Sequence, residues 1–267
     1  MANYYGRAVF LFWSTTFAAI PLFGQEIPSI TKEEENRFQR HKDNYILLTS
    51  AHDAREVKFQ MSFKYRLNDN IPLYFAYTQK SFWDAWDFAN SSPFIETDFN
   101  PEIFVGVFSD TGTMLQRIRV GVEHESNGRN GSESRSLNRV YLEPKLSLLG
   151  SSVLLVPRVW VPFTVAKENA DISHYEGYAS IELRVALPVR PDIGSIIAKV
   201  QKGDSVQIRN SSLELSVVFR PLALLDLTQY AILNGSFYFQ YWSGVGESLQ
   251  NYNVPAVRYR FGFILVR

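Results

Sequence analysis

The chain has 267 residues, with 27 Lys and Arg residues balanced by 27 Asp and Glu residues, and it contains no cysteine. This length suits one domain of moderate size or two small ones. The balanced charge gives no general attraction to nucleic acid, and the lack of cysteine excludes disulfides and thiolate metal ligands. Aromatic residues make up 15% of the chain, yet the mean hydropathy is only −0.13. This combination is typical of outer-membrane barrels, whose strands alternate polar and apolar residues.

The first 43 residues differ in character from the rest of the chain. Arg7 precedes an apolar run of about 15 residues, AVFLFWSTTFAAIPLFG, in the order found in a secretory signal. The run is short for a membrane-spanning helix, which needs about 20 apolar residues; a buried or anchoring helix is the alternative. We therefore predict a signal peptide at residues 1–24, a polar extension at residues 25–43 and a barrel at residues 44–267.

Hydrophobicity along the remaining chain has a period of two. In VKFQMSFKYRL, residues 57–67, every second residue is apolar or aromatic, and the residues between them are Lys, Gln, Ser or Arg. Successive side chains of a β-strand point to opposite faces, so this alternation predicts a strand. About twelve strands separated by turn residues are predicted in this way, near residues 44–50, 57–67, 71–79, 102–109, 116–126, 138–148, 153–163, 179–189, 195–202, 213–219, 236–243 and 257–265.

The same alternation occurs in soluble β-sandwiches and lipocalin-like barrels, so it does not by itself identify the surrounding solvent. Strands of about 9–11 residues match a tilted crossing of a bilayer. The polar face carries Lys, Arg and Glu side chains, which suit a polar lumen better than the core of a soluble protein. Together with the signal-like N-terminus, these features predict an all-β fold, a transmembrane antiparallel β-barrel of about 12 strands in a bacterial outer membrane.

A polar segment, HESNGRNGSESRSLNR at residues 124–139, joins two of the predicted strands. His124 and Ser126 continue the apolar face of the first strand, and Asn138 begins the apolar face of the second. Because residues 127–137 connect these strands as a hairpin, the three side chains are expected at the rim of one lipid-facing surface.

Three hydrogen-bonding side chains facing lipid are costly unless they satisfy one another or perform chemistry. A histidine can remove the proton of a nearby serine hydroxyl, and an asparagine oxygen can accept the other imidazole N–H and fix the tautomer. This predicts Ser126 as a nucleophile, His124 as its base and Asn138 as the group that orients His124. His-x-Ser alone is a weak motif, so the alternative is a non-catalytic outer-membrane barrel, either a small porin or a structural protein.

At these residues the sequence resembles outer membrane phospholipase A, a family of bacterial barrel enzymes. The resemblance covers most of the predicted mature chain and is strongest at YTQKSFWD (77–84), SSPFIETDFNPEIFVG (91–106), residues 124–139 and YWSGVGESLQNYN (241–253). It implies a twelve-stranded barrel and calcium-dependent hydrolysis of acyl esters in phospholipids and lysophospholipids. It also implies a phospholipase A1/A2 that is activated by dimerisation.

The resemblance further implies roles for individual residues. Gly128 is expected to donate its backbone N–H to the oxyanion. The expected calcium ligands are the Arg129 carbonyl, the Ser134 hydroxyl and the carbonyl of Ser91 of the partner subunit, which are oxygen donors suited to a hard cation. Gln79 matches a polar residue on the dimer face of the family. The expected partners are therefore membrane phospholipid, outer-membrane lipid and a second copy of the chain as a homodimer, with no nucleic acid.

Overall fold

The structure is a computed structural model that describes residues 37–49, 56–108, 113–188, 190–204, 210–224 and 236–265. The predicted signal peptide, residues 1–24, lies outside the described residues, and so does the larger part of the predicted polar extension. No helix within the described ranges is long and apolar enough to cross a membrane.

Most of the described residues are in β-strands. In chain order the strands are β1 (Phe38–Arg40), β2 (Asn44–Thr49), β3 (Val57–Arg66), β4 (Leu73–Trp83), β5 (Phe94–Phe108), β6 (Leu115–Ser126), β7 (Ser136–Leu148), β8 (Val153–Val165), β9 (Ala179–Ala186), β10 (Gly194–Lys202), β11 (Ser211–Phe219), β12 (Ser236–Gly244) and β13 (Ala256–Leu265). Two short helices, α1 (Ile172–Glu176) and α2 (Pro221–Leu224), lie in connections between strands.

The sheet is antiparallel and closes on itself. β13 pairs with β2, and β2 pairs with β3, so the last strand meets the first part of the barrel. β1 and β2 both lie along β3, with Arg40 opposite Phe63 and Tyr45 opposite Gln60. They form one interrupted strand, which confirms the predicted all-β barrel of twelve strands. β1 falls within the region predicted as a polar extension, so the described end of that region is part of the sheet.

The barrel is apolar outside and charged inside, the reverse of a soluble protein. Ile103 and Val122 are 52% and 47% exposed, whereas their neighbours Glu102 and Glu123 are each 2% exposed. Apolar side chains arranged in this way on the outer face require lipid around them, and a polar interior is usual for an outer-membrane barrel.

Ion pairs fill the lumen and hold the strands in register. Arg158 on β8 contacts the Glu123 carboxylate at 2.8 Å and the Glu143 carboxylate at 3.4 Å. Its guanidinium also lies 3.8 Å from the centre of the Tyr141 ring. Buried charges are stable only when they are paired in this way, so a strand that slipped by one residue would carry its charges to the lipid face.

β5 begins at Phe94, well before residue 102, where the sequence pattern predicts this strand to start. Its pairing with β4 extends over this additional length, with one register shift between Phe82 and Trp83. Thr97 and Pro101 lie on the outer face of the added segment, where the pattern requires apolar strand-forming residues. Proline in particular is disfavoured in the interior of a sheet. The alternation of residues 94–101 is therefore not recognisable as a strand pattern in the sequence.

Alternate connections between the strands lie at one end of the barrel, because the strands run antiparallel. They include the β4–β5 loop (84–93), the β6–β7 loop (127–135), the β8–β9 loop (166–178) and the β12–β13 loop (245–255). A small apolar cluster anchors the last two loops against β7, and its members are Leu137, Ile172, Leu249 and Tyr252. The loops are thus packed behind the strand end that carries Asn138.

Candidate active site

His124 and Asn138 are directly opposite each other on β6 and β7. His124 Nδ1 lies 2.9 Å from Asn138 Oδ1. An amide oxygen can only accept a hydrogen bond, so the proton of this bond is on Nδ1. The lone pair of the neutral imidazole is then on Nε2, the nitrogen that is available to act as a base.

Ser126 is the last residue of β6 and shares the outer face of that strand with His124. Val120 and Val122, which precede them on this face, are 50% and 47% exposed, so the face is directed to lipid. Within the described residues no hydrogen bond joins His124 to Ser126, and catalytic hydrogen bonds often tighten only in the substrate complex. The structure therefore brings His124 and Asn138 into contact and places Ser126 beside them.

The β6–β7 loop is organised by the side chain of Asn127, which is only 5% exposed. Asn127 Oδ1 accepts hydrogen bonds from the backbone N–H groups of Arg129 at 3.3 Å and Arg135 at 3.0 Å. Asn127 Nδ2 donates to the Glu133 carbonyl at 2.8 Å and to Gln250 Oε1 at 2.9 Å. The full hydrogen-bonding capacity of the amide is used, so the loop is fixed both internally and to the β12–β13 loop.

Gly128 has a left-handed backbone, with a φ of +67°. A Cβ at this position would come within 2.8 Å of the ring of Phe99, which is opposite Ser126 on the neighbouring strand. Both constraints favour glycine. The Gly128 N–H makes no hydrogen bond to any other described residue, so a donor is available two residues after Ser126.

The residues predicted to bind calcium lie at the same end of the barrel. Arg129 and Ser134 belong to the β6–β7 loop, and Ser91 belongs to the β4–β5 loop, where its φ is +64°. Two carbonyls and one hydroxyl are neutral oxygen donors that fit Ca²⁺. The nearby Glu133 carboxylate is paired with Arg129 Nη1 at 2.8 Å instead. In the described part of the chain no cluster of three or more His, Cys, Asp or Glu residues is arranged to hold a metal ion.

On the lumen side of β6 and β7, Arg139 binds three carboxylates, those of Glu123, Glu125 and Glu176. Its contact with Glu176, at the end of α1, is 3.0 Å long. Burial raises the pKa of the Glu176 carboxyl to about 7, with the Glu125 charge adding to the effect and the Arg139 charge opposing it. The cluster ties the paired strand ends to the β8–β9 loop.

A row of polar side chains crosses the outer face of β4 and β5. The Tyr77 hydroxyl donates to Gln79 Oε1 at 3.2 Å, and Gln79 Nε2 donates to Ser81 Oγ at 3.2 Å. Ser81 Oγ and Thr97 Oγ1 are 3.0 Å apart. Polar groups on a lipid-facing surface are costly and commonly mark a functional contact. The residue predicted to lie on the dimer face, Gln79, is in the middle of this row.

The sequence patterns did not single out Asn127, Gln250 or Asn169. Asn169 also supports the site, because its Oδ1 accepts from the Ser136 N–H at 3.3 Å and its Nδ2 donates to the Ser136 carbonyl at 3.2 Å. These residues lie in or beside loops, where no hydrophobic periodicity reveals the direction of a side chain. The one available signal is that Asn127 continues the lumen-facing alternation of β6.

Comparisons with known proteins agree with this architecture. Residues 26–265 match the sequence model of the family described as Phospholipase A1. The Phospholipase A1 of Klebsiella pneumoniae is 30% identical, over 91% of this chain and 87% of that protein. The solved dimer of Salmonella typhi outer membrane phospholipase with bound calcium is 28% identical, with a TM-score of 0.73, over 88% of this chain and 94% of the other. An active-site mutant of Escherichia coli outer membrane phospholipase A, in which an asparagine is replaced by alanine, is 27% identical with a TM-score of 0.70, over 86% and 91% of the two chains.

Proposed function

Because the chain belongs to the phospholipase A1 family and is a phospholipase of the bacterial outer membrane, we propose that it hydrolyses acyl esters of phospholipids and lysophospholipids in a calcium-dependent reaction. The reaction would use a Ser126–His124–Asn138 site that faces the lipid. The observation that carries the proposal is the 2.9 Å contact between His124 Nδ1 and Asn138 Oδ1 on the outer face. The relative from E. coli, whose active-site mutant replaces an asparagine, supports a functional asparagine of this kind.

His124 begins the reaction by removing a proton. Its Nε2 accepts the proton of the Ser126 hydroxyl while Ser126 Oγ forms a bond to the ester carbonyl carbon. Asn138 keeps the other imidazole proton on Nδ1 and holds the ring in place as it becomes positively charged. Asn138 is neutral, so it stabilises this imidazolium less than a carboxylate does. On a lipid-facing surface, however, an unpaired carboxylate would cost more than the amide.

The tetrahedral intermediate then collapses in the usual order. The ester C–O bond breaks, and the imidazolium returns its proton to the departing lysophospholipid alkoxide. Water next gives a proton to His124 and attacks the acyl-Ser126 ester, and the second collapse releases the fatty acid and returns the proton to Ser126 Oγ. In both halves the Gly128 N–H donates to the oxyanion, because it lies beside Ser126 and is otherwise without a partner among the described residues.

Calcium, when bound, supplies positive charge that polarises the ester carbonyl or a water molecule at the same position. The Arg129 carbonyl and the Ser134 hydroxyl would hold it in one subunit, together with the carbonyl of Ser91 of the partner subunit. These donors carry no net charge, so we expect weak binding, at the low-affinity end of protein calcium sites. The relative from S. typhi was solved as a dimer with bound calcium, which supports this assignment.

The homodimer is proposed to form through the polar row centred on Gln79. This row lies on the lipid-facing surface of β4 and β5, where a second copy could satisfy hydrogen bonds that lipid cannot. β5 is also the strand that pairs with β6 beside Ser126. A partner docked on this surface would therefore complete the calcium site and give the acyl chain an apolar wall. Dimerisation would then switch the activity on.

A serine exchange tests the proposed nucleophile. Ser126→Ala is expected to abolish fatty-acid release from phospholipid in mixed micelles, because it removes the hydroxyl that His124 is proposed to deprotonate. Ser136→Ala, opposite Ser126 in the β6–β7 pairing, is the matched control and should retain activity within about twofold. Full activity of Ser126→Ala would disprove the assignment. Bilayer conductance without esterase activity in the wild type would favour a non-catalytic barrel.

A further inference from the structure

Around Pro101, the hydrogen-bond ladder of β5 is broken on one side only. Towards β4 the pairing runs without interruption through Pro101. Towards β6, Phe99 pairs with Ser126 and Glu102 pairs with Glu123, but the two residues between them have no strand partner. The interruption is therefore directed at β6, at the level of the proposed active site.

The register places Pro101 opposite His124 at this interruption. Proline has no backbone N–H, so it cannot supply the donor that an ordinary strand residue presents to the facing carbonyl. The His124 carbonyl accepts a hydrogen bond from the Asn100 side chain instead, with Nδ2 at 2.9 Å from the oxygen. A side-chain amide thus takes the place of the missing main-chain donor, directly behind the proposed base.

Asn100 is itself held in one orientation inside the lumen, where it is 6% exposed. Its Oδ1 accepts from Lys42 Nζ at 2.6 Å, and its Nδ2 also donates to Glu123 Oε2 at 3.2 Å. A cation on the oxygen side and a carboxylate on the nitrogen side fix which end of the amide faces His124. Lys42 lies in the interruption between β1 and β2, so the bulged first strand contributes to this arrangement.

We propose that Asn100 is a positioning residue for the base His124, replacing the donor that Pro101 lacks. This inference rests on the proposed function, because positioning matters only if His124 is the base. A carbonyl that is removed from water and left without a donor costs free energy comparable to a lost hydrogen bond, which favours a shift of the backbone towards another donor. A shift of about 1 Å in a reacting group costs roughly a hundredfold in rate. Asn100 touches neither substrate nor reacting atoms and acts through the main chain of His124.

A rescue experiment tests this role. Asn100→Ala should lower kcat at least about tenfold, with KM within about twofold of wild type because lipid binding is unaffected. Adding Pro101→Ala restores an N–H opposite His124, so the double variant should recover to within about threefold of wild type. Pro101→Ala alone should change kcat by less than about twofold. Arg184→Gln is the control for a purely structural role of the lumen contacts, because it removes the 2.7 Å ion pair with Asp43 and leaves the contacts of Asn100 in place; its kcat should stay within about twofold of wild type.

The rescue separates positioning from general stability, since a lost lumen contact is not restored by an added backbone donor at residue 101. Failure of Pro101→Ala to restore the Asn100→Ala variant, or a kcat of Asn100→Ala within about twofold of wild type, would overturn the inference. If Asn100→Ala does not fold, Asn100→Asp replaces it. This variant keeps the volume and the Lys42 contact but cannot donate, and its expected loss of kcat is the same.

A spectroscopic readout distinguishes failure of this inference from failure of the proposed function. Histidine labelled with carbonyl ¹³C gives a His124 signal that can be assigned with His124→Gln. This signal should move in Asn100→Ala and return in the double variant with Pro101→Ala, whether or not the wild type hydrolyses lipid. If the wild-type protein does not hydrolyse lipid, the proposed function would be disproved. If the wild type is active but the His124 carbonyl signal does not move in Asn100→Ala, the proposal that Asn100 replaces the donor missing at Pro101 would be disproved. The proposed function would be unaffected.

Discussion

The amide of Asn127 is the single side chain on which the β6–β7 loop depends most, and its truncation gives a quantitative prediction. Asn127→Ala removes the hydrogen bonds to Arg129 and Arg135 and those to Glu133 and Gln250. With about 0.5–1.5 kcal/mol for each of the four bonds, the ordered loop loses roughly 2–6 kcal/mol. This corresponds to at least about a thirtyfold change in the equilibrium between ordered and open loop.

Hydrogen exchange measures this loss directly, in calcium-free protein in detergent. The amides of Arg129 and Arg135, which donate to Asn127 Oδ1, should exchange at least about thirtyfold faster in Asn127→Ala. The calcium concentration for half-maximal activity should also rise, because the proposed calcium site requires the ordered loop. Asn130→Ala is the control, since Asn130 is exposed and its side chain makes no capping bond. Loop exchange and calcium half-saturation both within about twofold of wild type would refute this account of the loop.

Three further predictions address the base, the dimer and the lumen. Asn138→Ala should lower kcat at least about tenfold while KM changes little, because His124 loses the partner that fixes its tautomer; equal kcat values in micelle assays would contradict this. Gln79→Ala should weaken dimerisation by about 1 kcal/mol in sedimentation equilibrium with calcium, and an unchanged dimer constant would place the interface elsewhere. The folded-state pKa of Glu176, about 7, lies above its usual 4.5. Stability from this group is therefore complete below pH 4.5 and is lost as the pH rises through 7. Glu176→Gln should gain resistance to urea relative to wild type at pH 8 but not at pH 4; no difference between the two pH values would contradict the assigned shift.

The strand pattern could be predicted from sequence because each strand has two different solvents. Lipid on one side and a polar lumen on the other impose strict alternation, as in residues 57–67. The direction of His124, Ser126 and Asn138 followed from the same parity, since a side chain two residues along a strand returns to the same face. The structure confirms that His124 and Asn138 meet and that their face is the lipid-facing one.

The features of the fold and of the site that could not be predicted from the sequence are those in which single side chains replace regular backbone pairing. The early start of β5 was hidden by Pro101, whose effect on the ladder is compensated by Asn100. Asn127 and Gln250 act across two loops that are about 120 residues apart in sequence, and no periodicity links them. The roles of Gly128, Arg129, Ser134 and Ser91 came from resemblance to the family, and they stay predictions for this chain.

The most direct test of the whole account is fatty-acid release from phospholipid in mixed micelles by the refolded wild-type protein, first with calcium and then with excess chelator. Release is predicted to collapse on chelation and to return when calcium is restored. Release that ignores the chelator would keep the lipase but remove the calcium ligands assigned to the β6–β7 loop. If the protein is folded and dimeric but releases no fatty acid, that result would contradict the Ser126–His124–Asn138 site itself.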